Sequence, residues 1–254
     1  MEQERFLCAK KAAEMDMGGK GIGTMHEKSI HIVLKYYFAP DPACHEQTVG
    51  GYIADAVTED GVVEIQTRAL GRLREKLTAF LAACPVTVVY PIAETKWLCT
   101  VDENGAIVSK RKSPKHETVM HGMREIYGLR EMVGLEGFRI CVVRLETEEY
   151  RIRSNQPRRK FHGIYEKLDR MPKTLLGLTM LETPMDYLSL LETQPKGEFT
   201  VRMLAQENHA AEGDIRMLLK LLERLGAVRQ TGKKGNAVTW EIASPFRTDC
   251  NSAS

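Results

Sequence analysis

Two short apolar segments, joined by a tight turn, each carry one carboxylate. The segments span residues 51–57 and 61–67, and their carboxylates are Asp55 and Glu64. The connection ends in Asp60-Gly61, a dipeptide typical of tight hairpin turns. We therefore expect the two segments to pair as a β-hairpin that places one carboxylate on each strand.

The second segment also carries a glutamine, two positions beyond its carboxylate. Side chains alternate along a strand, so Glu64 and Gln66 are expected on one face and Ile65 on the other. Carboxylate oxygens are hard ligands of the kind that Mg²⁺ and Mn²⁺ prefer. The pattern predicts a metal site of the type that metal-dependent phosphodiesterases use.

The surrounding segments indicate an α/β fold with a mixed sheet flanked by helices. Apolar spacing predicts one helix before the hairpin and one after it, and a buried strand bounded by prolines follows. A second hairpin, a third helix and a further strand complete this part of the chain. The expected elements are a helix at 25–37, the hairpin, a helix at 71–83, a strand at 86–90, a hairpin at 97–109, a helix at 117–132 and a strand at 139–146.

The C-terminal part has a different pattern. Helices are expected at 185–192 and 200–208, followed by a leucine-striped helix that ends at Gly226. Two strands then flank a basic tip at 232–236. Three helices followed by a hairpin resemble a winged helix-turn-helix. The expected organisation is a flexible N-terminus at 1–22, a larger domain at 23–165, a winged helix-like domain at 166–245 and a disordered tail at 246–254.

Composition limits the setting more than the function. Lysine and arginine total 36 against 34 aspartate and glutamate, so a nucleic-acid surface must be local. The six cysteines are far apart and lack the spacing of a zinc site or a disulfide framework. The N-terminal segment lacks an apolar signal core, and no stretch is apolar enough to span a bilayer. We expect a cytoplasmic protein without a membrane partner.

Local clusters of positive charge predict contacts with DNA phosphates. One run follows the second predicted hairpin strand, a second lies in a basic arm, and a third forms the C-terminal hairpin tip. The expected nucleic-acid-binding residues are Lys110, Arg111, Lys112, Lys115, Arg158, Arg159, Lys160, Lys233 and Lys234.

Residues 23–68 resemble the PD-(D/E)xK, or restriction-endonuclease-like, superfamily, and their layout is most similar to that of Holliday-junction resolvases. The resemblance implies that Asp55 and Glu64 bind Mg²⁺ or Mn²⁺ and that Glu27, on the preceding helix, completes the metal shell. It implies catalytic roles for all three and for Gln66. It also implies a DNA substrate and, as in many nucleases of this fold, a homodimer. The chain is also similar to an uncharacterised bacterial family with the pattern H-E…G-G-x-x-A-D…G-x-x-E-I-Q-T-R.

One position departs from the superfamily pattern. Gln66 stands where the superfamily usually has a lysine, whose charge stabilises the transition state of phosphoryl transfer. Nearby cations that can replace it are Lys28, Lys35 and Arg68, and Glu46 is a further candidate ligand.

Three functions therefore remain open at the level of sequence. The first is a metal-dependent DNA endonuclease, and the second is a DNA-binding protein that kept the nuclease fold and lost catalysis. The third is a protein-interaction or dimerisation module that uses the leucine-rich C-terminal helix. The competing structural interpretations are a strand-end role for Asp55, a solvent-exposed strand face for Glu64 and Gln66, and a surface helix position for Glu27.

Overall fold

A mixed β-sheet with helices packed on both faces forms the centre of the protein. The computed structural model describes residues 1–16, 18, 29–153 and 165–246. Within them, the helices are α1 (Glu2–Asp16), α2 (Ser29–Phe38), α3 (Arg74–Leu81), α4 (Met123–Tyr127), α5 (Pro184–Leu188), α6 (Val201–Glu207) and α7 (Glu212–Arg224). The strands are β1 (Thr48–Val49), β2 (Tyr52–Ile53), β3 (Ala56–Thr58), β4 (Gly61–Ile65), β5 (Val86–Val101), β6 (Ile107–Lys112), β7 (Phe138–Arg153), β8 (Tyr165–Leu181), β9 (Phe199–Thr200), β10 (Val228–Lys234) and β11 (Ala237–Ile242).

The main sheet has the order β3-β4-β5-β7-β8, with β6 paired to β5. Strands β4, β5 and β7 are parallel, whereas β3, β6 and β8 are antiparallel to their neighbours. Parallel neighbours need crossover connections, and α3 supplies the one from β4 to β5. The expected α/β architecture, a mixed sheet flanked by helices, is confirmed.

The predicted hairpin forms between β3 and β4, but its first strand is shorter than expected. Strand β2 pairs with β1 instead, and the chain leaves the strand direction at Asp55. The reason is local, because the Asp55 carboxylate turns to accept a hydrogen bond from the Ile65 amide across the hairpin.

Strand alternation divides the main sheet between two apolar clusters. Val63 and Ile65 pack on the side of α1 and α2, whereas Val62 and Val88 pack on the side of α3 and α4. The sheet is thus covered on both faces, as its parallel centre requires.

Gly61 sets the register of the hairpin against the rest of the sheet. Its φ is +108°, and an added Cβ would lie 2.2 Å from the Pro85 carbonyl oxygen, the same atom that accepts a hydrogen bond from the Val62 amide. We expect Gly61→Ala to lower the free energy of unfolding by more than the roughly 1–3 kcal/mol of backbone strain alone. Gly105→Ala is the matched control, because Gly105 has φ +82° but open space around it. Equal losses for both variants in urea denaturation would contradict the predicted clash.

The N-terminus is a packed helix where a flexible segment was expected. Helix α1 lies against α2 and buries Phe6, Ala9 and Ala13. Two of these three side chains are alanines, so the apolar stripe is too weak to stand out from the charged residues around it.

The sheet also extends further along the chain than predicted. Strand β8 pairs with β7 from Tyr165 to Leu181, so the expected boundary at 165/166 must move to about residue 182. Charged side chains occupy much of the outer half of β8, where partial exposure removes the apolar pattern that identifies strands. Conversely, the helix expected at 117–132 is reduced to α4 and adjoining turns.

The C-terminal part is joined to the sheet through one apolar core. Helix α7 buries five residues and packs against α4. Its leucines belong to the same cluster as Val62 and Val88 of the main sheet. The Arg224 guanidinium also donates to the Glu131 and Val133 carbonyl oxygens of the segment after α4. The C-terminal elements and the main sheet therefore share one apolar core. Of the expected tail at 246–254, only Phe246 lies among the described residues.

Candidate functional site

Asp55 is held in place from two sides. Its Oδ2 accepts a hydrogen bond of 2.7 Å from the Ile65 amide and lies 3.1 Å from Nε2 of His31 on α2. Burial alone would raise the pKa of the Asp55 carboxyl, but the hydrogen bond and charge of His31, together with the Ile65 amide, hold this pKa below its ordinary value. The Asp55 side chain is thus an oriented carboxylate, ionised at neutral pH.

Glu64 lies on β4 with only 6% of its side chain exposed. Its Oε1 accepts a hydrogen bond of 2.6 Å from Nζ of Lys76, whereas its Oε2 is buried and has no hydrogen-bond partner among the described residues. Burial and the negative charge of Asp55 raise the pKa of the Glu64 carboxyl, and Lys76 opposes this shift. Two carboxylates whose pKa values are pushed in opposite directions are typical of functional sites.

Lys76 is the member of this site that sequence reasoning missed. It lies on α3, three residues after Leu73 and four before Phe80, and its amine is 5.5 Å from the centre of the Phe80 ring. Residues at these spacings share one face of a helix, so Lys76 stands within the buried stripe. The sequence feature that could have identified Lys76 is a charged residue inside an apolar helix stripe.

The cations that the sequence suggested as substitutes lie elsewhere or are not described. Lys35 is buried and pairs with Glu46 at 3.0 Å, so each of these two candidates is engaged by the other. Arg68 is exposed beyond the end of β4, and Lys28 is outside the described residues.

The remaining predicted catalytic residues have different outcomes. Gln66 directly follows β4, and its amide donates to the Val89 carbonyl oxygen at 2.9 Å, which continues the ladder with β5. Alternation puts its side chain on the face of Glu64. Glu27 lies outside the described residues. The structure thus brings Asp55, Glu64 and Lys76 together next to Gln66.

The carboxylate pair fits a hard divalent cation that keeps part of its water shell. Mg²⁺ is commonly held by one or two carboxylates, and water completes its octahedron. A buried carboxylate oxygen without a partner, such as Oε2 of Glu64, is costly until a cation or donor satisfies it. Within the part of the chain that the structure describes, no group of three or more histidine, cysteine, aspartate or glutamate side chains has the geometry of a complete metal site.

The predicted DNA-contact residues form two exposed basic surfaces. Lys110, Arg111 and Lys112 lie on β6, an edge strand with every residue exposed, and Lys115 follows in the next loop. Lys110 pairs with Glu148 at 2.7 Å. Lysines on an edge strand also prevent unwanted strand pairing, so their exposure does not by itself indicate DNA.

The second basic surface is the end of β10, where Lys233 and Lys234 are exposed. The third predicted group, Arg158, Arg159 and Lys160, lies outside the described residues.

We expect His31→Ala to make the stability of the protein less dependent on acid pH. The lowered pKa of Asp55 contributes stability that is present above its unfolded value, near 3.8, and is lost as the pH falls through the folded pKa. His31→Ala should therefore lower the free energy of unfolding at pH 7. The difference in this free energy between the variant and the parent should shrink below about pH 4. Urea denaturation from pH 3 to 7 measures this difference. The exposed His116 provides the control, and a pH-independent loss in His31→Ala would refute the coupling to Asp55.

Comparisons with known proteins identify the family without an activity. A protein of Treponema pallidum (strain Nichols), described as an uncharacterized protein, is 33% identical over 228 residues, which cover 88% of each chain. No solved structure matches the chain. In the described residues, no helix combines the length and apolar character needed to cross a bilayer. The model of a domain of unknown function, DUF8091, matches residues 28–182, from the start of α2 to the end of β8, and includes both carboxylates and Lys76. The chain therefore belongs to the DUF8091 family.

Proposed function

We propose that this protein is a divalent-metal-dependent nuclease that hydrolyses phosphodiester bonds in DNA. The observation that carries the proposal is the position of Lys76, whose amine contacts Glu64 beside Asp55. Two carboxylates and a lysine are the chemical groups that the PD-(D/E)xK resemblance requires. Here the lysine comes from α3 instead of position 66.

Each side chain has a defined task in this proposal. Bound Mg²⁺ or Mn²⁺ would polarise a phosphate oxygen and acidify a water molecule. Asp55 and Glu64 would hold the ion, and the Ile65 amide and His31 fix the direction of the Asp55 carboxylate. Lys76 supplies positive charge for the phosphate oxygens in the transition state. Because its side chain is mostly buried, this charge is less screened than that of a surface lysine.

The fold supports the restriction-endonuclease-like interpretation. Strands β3 and β4 form an antiparallel hairpin, and α3 then connects β4 to the parallel strand β5. Asp55 directly precedes β3, and Glu64 lies on β4. This order of elements supports the roles that the resemblance implies for the two carboxylates.

The C-terminal elements support a winged helix-turn-helix whose third helix is partly engaged by α4. The order from α5 through β9, α6 and α7 to the β10–β11 hairpin, and a sheet of order β10-β11-β9, favour this motif. In many such proteins the third helix enters the major groove. Here α7 packs against α4, so we infer that DNA contact by this part of the chain comes from the hairpin tip with Lys233 and Lys234.

One observation favours a second candidate, a DNA-binding protein that kept the fold and lost catalysis. The Lys76–Glu64 ion pair already neutralises one carboxylate, and Gln66 adds no charge. A pair of this kind can persist as a purely structural contact without any metal.

DNA cleavage distinguishes the two candidates. Supercoiled, linear, branched and single-stranded DNA are incubated with Mg²⁺ or Mn²⁺ and purified protein, in parallel with the Asp55→Asn variant. We expect cleavage of at least one substrate and its loss in Asp55→Asn. The Asp60→Asn variant changes an exposed carboxylate in the same hairpin and should cleave normally. Absence of cleavage with every substrate and both metals would reject the nuclease in favour of the second candidate.

A further inference from the structure

Two adjoining cavities lie just beyond the carboxyl-terminal end of β4, the strand that carries Glu64. The first, of about 380 Å³, is lined by Ile30, Thr67, Arg68, Lys167, Leu168, Asp169 and Arg170. The second, of about 320 Å³, is lined by Thr67, Tyr90, Pro91, Ile92, Glu117, Thr118, His121, Gly122 and Arg170. Thr67 and Arg170 line both cavities, so the two share part of their wall, and we refer to them together as the double pocket.

The double pocket adjoins both chain segments that hold the carboxylate pair. Ile30 directly precedes His31, the partner of Asp55. Thr67 follows Glu64 by three residues, a distance of roughly 10 Å along an extended chain. The double pocket therefore begins where β4 ends, next to the strand that carries Glu64.

The first cavity carries an excess of positive charge. Arg68, Lys167 and Arg170 line it together with a single carboxylate, Asp169. Both Lys167 and Arg170 pair with Glu149, at 3.1 and 3.2 Å, which gathers the two cations at one place in the wall. A pocket of this charge is suited to a phosphate group.

Two further observations support an anion in the first cavity. Burial lowers the pKa of the neighbouring Lys96 amine, and the positive charge of Arg170 lowers it further. Nε of Arg170 is buried and has no hydrogen-bond partner among the described residues, so its guanidinium has donor capacity left.

The second cavity has an aromatic and apolar part of its wall, against which a nucleobase can pack. Tyr90, Pro91 and Ile92 form this wall at the centre of β5. An added Cβ on Gly122 would lie 2.9 Å from Cε1 of Tyr90, so a larger residue there would push the ring into the cavity. Burial raises the pKa of Tyr90 to about 12, which keeps its phenol neutral beside an anionic ligand.

We propose that the double pocket binds one nucleotide of single-stranded DNA, with a phosphate among Arg68, Lys167 and Arg170 and the base against Tyr90. This inference rests on the proposed function, because the bound strand is the substrate of the neighbouring carboxylate pair. Each cavity is near the lower size limit of pockets for small ligands, which suits a single nucleotide unit. A duplex keeps its bases paired and stacked, so it can fill the second cavity only after a base is flipped out.

The strand does not continue into a third cavity. That cavity, of about 530 Å³, lies between the sheet and the C-terminal part, and its lining includes Glu94, Glu192 and Asp214. Three carboxylates repel a phosphate chain, and the single arginine there, Arg144, already pairs with Glu94 at 3.2 Å.

Binding without metal tests this inference separately from catalysis. Fluorescence anisotropy in EDTA is measured with a labelled single-stranded oligonucleotide and with a duplex of the same sequence and length. All strands lack a terminal phosphate, so only internal phosphodiesters are available. We expect tighter binding of the single strand. Arg68→Gln should weaken binding of the single strand about tenfold. It should also reduce the slope of log affinity against log salt concentration by about 0.7.

Arg72→Gln is the matched control, because Arg72 is equally exposed, lies four residues further on and does not line the pocket. The Arg72→Gln variant should bind the single strand as tightly as the parent protein does. Preference for the duplex, or equal effects of the two arginine variants, would overturn the inference. Cleavage of duplex DNA together with duplex preference would overturn it while leaving the proposed nuclease intact. Single-strand binding that depends on Arg68, without any cleavage, would support the pocket while rejecting the nuclease.

Discussion

Replacing Lys76 with methionine is expected to lower DNA cleavage by about 10²–10³-fold and to strengthen Mn²⁺ binding. The first effect follows from the loss of the charge next to the carboxylate pair. Removal of one preorganised donor to the transition state has a cost of this size in other hydrolases. Methionine has a similar length, so the packing against Leu73 and Phe80 is retained.

The second effect follows from the net charge of the site. With both acids ionised, Asp55, Glu64 and Lys76 together carry one negative charge, and the variant carries two. A divalent cation is attracted more strongly to the variant, and the competitor for Oε1 of Glu64 is gone. Calorimetry at pH 7.5 measures the affinity, and a plasmid-nicking assay measures the rate.

Glu75→Gln controls for a charge change on the same helix, because Glu75 is exposed and next to Lys76. It should leave both cleavage and metal affinity unchanged. Normal cleavage by Lys76→Met would show that Lys76 only neutralises Glu64, and would remove the main support for a catalytic lysine on α3.

The second large effect concerns the shared core. Leu218→Ala is expected to lower the free energy of unfolding by about 2–5 kcal/mol, because Leu218 is fully buried in the cluster that joins α7 to the sheet. Since that cluster includes both parts of the chain, the main sheet and the C-terminal elements should unfold in one transition.

The two tryptophans allow the unfolding transition to be measured separately for the main sheet and for the C-terminal elements. Trp97 lies on β5 of the main sheet, and Trp240 lies on β11. Variants with Trp97→Phe or Trp240→Phe leave one fluorescent reporter each. Coincident guanidinium midpoints, both shifted equally by Leu218→Ala, are expected. Met203→Ala, at a largely exposed position, should shift neither midpoint appreciably. A shift confined to the Trp240 signal would mean that residues 183–246 are an independent domain.

Sequence patterns predict this fold best where burial is strong and local. The β3–β4 hairpin follows from an apolar run with a tight Asp-Gly turn, and α7 follows from its leucine stripe. The outer half of β8 is partly exposed and rich in charge, so its pairing with β7 depends on backbone hydrogen bonds that leave no apolar period. Helix α1 packs largely through alanines, whose contribution to an apolar stripe is small.

Sequence patterns likewise predict one part of the candidate site and miss the other. Asp55 and Glu64 are close in sequence and share a hairpin, so their proximity follows from strand pairing. Lys76 and His31 come from separate helices on either side of that hairpin, and only the packing of those helices on the sheet brings them to the carboxylates. The docking of α7 on α4 is likewise a tertiary contact, and it changes how the C-terminal part can meet DNA.

Calorimetric titration with Mn²⁺ tests the central claim most directly, because it measures the metal site without any assumption about the DNA. The proposed site predicts one ion per chain in the parent protein, with binding lost in Asp55→Asn and in Glu64→Gln and retained in Asp60→Asn. Absence of binding in the parent, or undiminished binding in both site variants, would contradict a metal centre at Asp55 and Glu64.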